Sequence, residues 1–138
     1  MERPNIDAFA GDWALSRRIE DARAGETLTF AGTAQFVPDA AGFTYIEDGL
    51  LQAPDRPAMR AQRRYLWRQG AAGIEVYFAD GRFFHLIGAG PSPAAEHDCA
   101  PDVYRVRYDF IGWPDWRAEW RVTGPHKDYV LRSEYRRA

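Results

Sequence analysis

The sequence predicts an all-β protein: a single antiparallel up-and-down β-barrel of roughly eight to ten strands, with a short N-terminal helical turn. Three observations predict it. Period-two alternation of apolar and polar residues runs through most of the chain, and helical periodicity is absent after residue 11. Aromatic residues make up 14% of the chain, which favours a pleated, half-buried surface over a helix. Gly, Pro, Asn and Asp clusters break the alternation at short intervals.

In order, Asn5 to Gly11 reads as one helical turn, with Asn5 at its start and Gly11 at its end. Strands follow over Trp13 to Ile19, Leu28 to Phe36, Phe43 to Leu51 and Met59 to Gln69. Further strands cover Ile74 to Phe78, Phe83 to Ile87, Val103 to Ile111, Trp116 to Val122 and Tyr129 to Tyr135. Asp48-Gly49 is read as lying inside one long strand, with Gly49 marking a bulge or close packing, because a turn there leaves two very short arms. The segment from 88 to 101 is rich in Pro, Ala and Gly and reads as an irregular loop. The 138 residues form one domain, 1–138.

Charge and composition narrow the function. The net charge of -2 shows no basic bulk signal for nucleic acid. Lys127 is the only lysine among 18 basic residues, a bias assigned mainly to a GC-rich genome. No apolar run approaches a membrane span, and the N-terminus lacks the pattern of a signal peptide, so the expected location is cytoplasmic. The single cysteine, Cys99, excludes an internal disulfide.

Alternation also indicates what points inward. Asp80-Gly81 is read as a two-residue hairpin loop, which pairs Val76 with His85 and Phe78 with Phe83. One face of that hairpin then carries Ile74, Val76, Phe78, Phe83, His85 and Ile87, and goes inside. His85 has two readings: a neutral histidine bonded to a hydroxyl or a carbonyl, or a group facing a ligand. The same counting turns Arg17, Glu47, Arg63, Tyr65, Trp67, Tyr104 and Tyr108 inward. Buried charges are costly unless they pair or line a wet cavity. Together with His85 these seven residues are the candidate ligand-binding set. His97 and Cys99, in the 88–101 segment, are expected in a loop over the barrel mouth. With His85 they offer metal-type ligands, but no Cys-x-x-Cys or His-x-x-x-His pair supports a site, and no metal or other cofactor is assigned. There is no Gly-rich phosphate loop and no Gly-x-Ser-x-Gly elbow.

Gly11-Asp12-Trp13, straight after the helical turn, resembles the Gly-x-Trp motif of the calycin superfamily, which includes lipocalins and fatty-acid-binding proteins. The resemblance implies a barrel plugged at one end by Trp13, with Arg132 or Arg136 packed across its ring. Nearly the whole chain is similar to a family of small bacterial calycin-like proteins of unknown activity. That likeness rests on Gly11-Asp12-Trp13, Tyr45-Ile46-Glu47-Asp48-Gly49, Arg64-Tyr65-Leu66-Trp67, Asp80-Gly81-Arg82-Phe83-Phe84-His85, His97-Asp98-Cys99 and Trp120-Arg121-Val122-Thr123-Gly124-Pro125. A haem-binding branch of calycins uses a histidine near the C-terminal strands; His126 lies in an expected turn and does not match it.

Three functions follow as expectations. The first is a barrel binding a small, partly apolar anionic ligand, with Arg17 or Arg63 on its anion and His85 and Glu47 orienting it. The second is a cofactor-free decarboxylase, isomerase or hydrolase, since some calycin-like barrels use interior Arg, Glu and Tyr for decarboxylation; His85 or Glu47 is then the acid or base. The third is a structural module in which Arg17, Glu47, Arg63 and His85 pair among themselves and leave no cavity. The expected partner is a small molecule, not nucleic acid or membrane, and a homodimer stays open.

Overall fold

The structure, a computed structural model, describes residues 1–138. A 3-10 turn (Ile6–Phe9) leads into ten strands: β1 (Gly11–Asp21), β2 (Glu26–Asp39), β3 (Gly42–Gln52), β4 (Met59–Gln69), β5 (Ile74–Phe78), β6 (Phe83–Ile87), β7 (Ala94–Cys99), β8 (Asp102–Asp109), β9 (Trp116–Thr123) and β10 (Asp128–Arg137). All belong to one antiparallel sheet in the order β6-β5-β4-β3-β2-β1-β10-β9-β8-β7. Every neighbouring pair except β1–β10 is consecutive in sequence, so the sheet is an up-and-down meander that rolls up until its two ends meet. No hydrogen-bonded ladder joins β6 to β7, and the barrel is nearly closed rather than closed. No helix is long and apolar enough to cross a membrane.

The end of the barrel next to the 3-10 turn is filled with rings. Phe9, Trp13 and Phe110 are fully buried, and Phe36 and Trp116 nearly so. Trp13 Nε1–H donates to the Phe9 carbonyl at 2.9 Å, tying the plug to the turn that precedes it. The cation over Trp13 is Arg137, 3.9 Å from the ring centroid, and not Arg132 or Arg136. Register explains the correction: Trp13 pairs directly with Arg137, while Arg132 and Arg136 alternate onto the outer face. Arg132 there pairs with Glu20 and Glu119. Arg137 also donates to the carbonyls of Ala10 and Ala8, at 2.7 and 2.6 Å, so one side chain holds both the plug and the turn.

The strand expected through Asp48-Gly49 is present as β3. Gly49 stands opposite Gly32 of β2. A Cβ on Gly32 would lie 2.1 Å from the Asp48 carbonyl oxygen, and one on Gly49 would lie 2.4 Å from that of Ala31. The backbones therefore approach too closely there for any side chain, as glycine permits.

Two expectations are corrected. The segment from 88 to 101 is not all loop: Ala94–Cys99 forms β7, paired with β8 from Ala94↔Arg107 to Cys99↔Asp102. Its composition lacks the branched and aromatic residues of a typical strand, and the ladder to β8 supplies what local propensity does not. His97 and Cys99 thus lie on a strand.

The Asp80-Gly81 turn also differs. Gly81 N–H donates to the Phe78 carbonyl and Phe78 N–H to the Arg82 carbonyl, so the loop is three residues, Ala79 to Gly81, with Gly81 at φ 91. Glycine at the left-handed position is what that hairpin class requires. The pairing Tyr77↔Phe83 is then one residue off the expected register, and an irregularity beside Val76 restores Val76↔His85. Phe84 is the extra residue of this bulge. It turns inward, 5% exposed, while Phe83 is 51% exposed, the reverse of the predicted face. His85 stays inside because the two departures cancel.

Gly32→Val is expected to destabilise the fold by about 2 kcal/mol or more, since the clash is with backbone and not with a movable side chain. A urea-unfolding curve beside the wild type measures it.

Candidate functional site

The barrel interior keeps a partly open cavity of about 80 Å³, lined by 18 residues of which 14 are hydrophobic. All eight candidate residues, Arg17, Glu47, Arg63, Tyr65, Trp67, His85, Tyr104 and Tyr108, are among them. They come from β1, β3, β4, β6 and β8, and the alternation of each strand is what turns them the same way.

At one side of the cavity sits a buried ion pair. Arg17 Nη1 and Nη2 donate to the two carboxylate oxygens of Glu47, at 2.8 and 2.6 Å, in a bidentate fork. Arg17 Nε donates to Ser133 Oγ at 2.6 Å. Tyr45 O–H donates to Glu47 Oε2 at 2.5 Å, and its hydroxyl lies 2.7 Å from that of Tyr135. A phenol has one hydrogen. With the Tyr45 hydrogen committed to Glu47, Tyr135 is the donor to Tyr45. Burial pushes the Glu47 carboxyl up, but the hydrogen bonds and charge of Arg17, with Tyr45 and Arg63, outweigh it and hold its pKa below the usual value. Burial likewise works against the Arg17 charge, and Glu47 overrides it, so the guanidinium pKa is raised. The pair is ionised and its donors and acceptors are engaged.

His85 is neutral. Burial, with a contribution from His97, lowers its pKa to about 3. Its Nε2 lies 2.9 Å from the Tyr108 hydroxyl, across the seam between β6 and β8. Nδ1 is buried with no partner, and so is Nε1 of Trp116, another cavity-lining residue. His85 is thus bonded to a hydroxyl and also lines the cavity.

Arg63 differs from the other cation. It lines the cavity while remaining exposed to solvent, and no carboxylate forms an ion pair with it. It stands directly opposite Glu47 in the β3–β4 register, and its charge acts on Glu47, on Tyr65 and on Tyr129 of β10.

His97 does not join a metal-type cluster. Its ring packs edge-on against Phe84, with centroids 5.3 Å apart, and against Phe78, at 5.8 Å, helping to fill the β6–β7 seam. Cys99 is exposed at the end of β7. No group of three or more His, Cys, Asp or Glu side chains is placed to hold a metal ion.

The filled-core expectation is met only by Arg17 and Glu47. His85 pairs with a tyrosine, Arg63 with no carboxylate, and a cavity remains. Trp116 and Tyr135, which line the cavity, and Ser133, which bonds Arg17, belong to the site and are not in the candidate set. Trp116 stacks flat on Tyr135, centroids 3.7 Å apart and planes 3° from parallel, and together they form a cavity wall. Alternation gives the face of each, and not its depth along the barrel.

A family model matches residues 9–137. The chain belongs to DUF6314, a family of unknown function. No curated protein sequence matches it significantly. Among solved structures, it is similar to the S-type phycobiliprotein lyase CPES from Guillardia theta, with a TM-score of 0.66 over 96% of this chain and 90% of that one. Identity is 9%, so the likeness is one of fold.

Two outcomes are expected. Glu47→Gln leaves Arg17 buried without its counter-charge and costs about 3–5 kcal/mol, much of which the double variant Arg17→Met/Glu47→Leu recovers; denaturant unfolding of both checks it. For His85, the unfolded chain takes up the proton first as pH falls, because its value of 6.5 lies above the folded one. The His85 contribution is therefore fully present above about pH 6.5 and is lost toward pH 3. Wild type should lose about 1 kcal/mol between pH 6.5 and 5.5 from this group, and His85→Gln should not.

Proposed function

We propose that this protein is a one-domain, small-molecule-binding barrel of the calycin type, taking a partly apolar anionic ligand into its interior. The observation that carries the reading is the contrast between the two arginines. Arg17 is neutralised by Glu47, whereas Arg63 lines the same cavity, is exposed to solvent and has no carboxylate bonded to it. A carboxylate or phosphate meets Arg63 there through charge-assisted hydrogen bonds, while the aromatic walls receive the apolar part. Tyr65, Trp67, Tyr104 and Tyr108 supply that surface, and His85 orients the ligand. The likeness in fold to a phycobiliprotein lyase supports the barrel on which this reading rests.

Binding is favoured over acid–base catalysis for a specific reason. Glu47 is held ionised by three hydrogen bonds, two from Arg17 and one from Tyr45. His85, with a pKa of about 3, is a weak base at neutral pH. The net charge of -2 supports a small molecule over nucleic acid as partner, and the same reading makes this a bacterial, cytoplasmic protein.

The cavity of about 80 Å³ is roughly half the 150 Å³ that takes one benzene in an engineered case. The ligand is therefore short, or its binding widens the barrel. Native mass spectrometry of freshly purified protein, with an absorption spectrum alongside, tests the proposal. A retained mass that is lost on denaturation, and that weakens in Arg63→Ala and His85→Ala, is the expected result. A clean apo mass, with no gain on adding short aromatic carboxylates or phosphates, overturns it.

A further inference from the structure

Two tyrosines of the cavity wall carry hydrogens that nothing in the protein accepts. Tyr104 of β8 and Tyr129 of β10 both pair with Val122 of β9, so they flank it in one row across three strands. Residues opposite each other in register share a face of the sheet, and here that face lines the cavity. Two strand spacings put their backbones roughly 10 Å apart, and the inward curl of the wall brings the hydroxyl ends closer than that. Both are half-buried, unlike the buried Tyr45, Tyr108 and Tyr135 of the same cavity. Tyr129 also lines an outer cleft with Arg23, His126 and Lys127, so it stands between the interior and solvent.

These hydroxyls are set up as donors. Lys127 Nζ donates to Tyr104 Oη at 3.3 Å and holds Asp102 at 2.9 Å. An ammonium has only hydrogens to give, so it occupies the acceptor side of Tyr104 and leaves the phenol hydrogen free. The Tyr129 hydroxyl has no partner in the protein, and the charges of Lys127 and Arg63 both act on it. Lys127 has its counter-charge in Asp102, whereas Arg63, on the same cavity from β4, has none. Two free O–H donors therefore share net positive surroundings.

We propose that Tyr104 and Tyr129 hold the phosphoryl group of a phosphate monoester, each hydroxyl donating to a terminal oxygen, with Arg63 supplying the charge. The inference rests on the reading of Arg63 as the anion's partner and narrows that anion from carboxylate or phosphate to phosphate. A phosphoryl end carries three acceptor oxygens spread around its axis. A carboxylate has two oxygens in one plane, which a guanidinium fork already engages, and donors from two further strands are left without a share. The head then sits among half-buried side chains, and the cavity of about 80 Å³ has only the apolar part to take. Lys127 is a positioning residue: it fixes the direction of the Tyr104 O–H and need not touch the ligand.

Inorganic phosphate and acetate, titrated at matched ionic strength into the intact chain and followed by NMR, test this. In the wild type, phosphate should move the Tyr104 and Tyr129 ring resonances together with the Arg63 Nε–H signal, and acetate should move the Arg63 signal alone. Tyr104→Phe and Tyr129→Phe should each weaken phosphate binding roughly three- to ten-fold and acetate binding less than two-fold. Lys127→Met should weaken phosphate binding on its own and add nothing to Tyr104→Phe. Rings that stay in place under phosphate, or losses equal for the two anions, overturn the tyrosine pair and leave Arg63 as the anion's partner. A Lys127→Met loss that persists in Tyr104→Phe overturns the positioning role. No response of Arg63 to either anion removes the Arg63 reading itself, and the pair with it. The ring shifts are read in the wild type, so a variant that folds poorly does not decide the outcome.

Discussion

The bidentate contact between Arg17 and Glu47 sets the terms for the rest of the interior. It joins β1 to β3 across the barrel, and through Ser133 and the Tyr45–Tyr135 relay it brings in β10. A lone charge at either position would cost several kcal/mol, and as a matched pair they form a neutral unit. The aromatic walls can then close around it without a net charge inside. The outer arginine, Arg63, has no carboxylate paired with it. A replacement of the whole unit by apolar residues would suit stability at least as well.

Much of this was legible in the sequence because a strand has only two faces. Once Glu47 shares a face with Phe43 and Tyr45, and Arg17 with Trp13 and Leu15, both charges must go where the rings go. The eight residues bordering the cavity were found this way. What alternation cannot supply is the coordinate along the barrel axis, which depends on how far each strand is staggered against the next. Arg17 and Arg63 look alike in a one-dimensional pattern, yet Arg17 is buried on the Glu47 carboxylate while Arg63, directly opposite Glu47 in register, is exposed. The same limit explains the misplaced clamp: the cation over Trp13 is set by the pairing Trp13↔Arg137, a property of the β1–β10 register.

The hairpin around Asp80 shows a different kind of limit. Two departures from the ideal pattern, a longer loop and a bulge, offset each other at His85. Asp80 stabilises the longer loop by accepting a hydrogen bond from the Arg82 backbone N–H at 3.0 Å, an arrangement as compatible with the sequence as the tighter turn. The bulge places Phe84 and His85, adjacent in sequence, on the same side of the sheet, which strict alternation forbids. β7 was missed for the complementary reason. Between prolines and with few β-formers, it owes its strand conformation to β8 and not to its own residues.

The seam between β6 and β7 sets how this barrel can deform. Elsewhere around the wall, separating neighbouring strands means breaking a row of backbone hydrogen bonds. At the seam it means parting rings: His97 from Phe84 and Phe78, and His85 from Tyr108. The molecule is a scroll and not a tube, and its circumference is a soft variable while its length is a stiff one. Widening along that line is a sub-global motion that leaves the Trp13 plug and the Arg17–Glu47 unit intact, so it lies at the low-cost end of the openings available to the fold. An interior of modest volume at rest is therefore no measure of the largest guest the wall can admit.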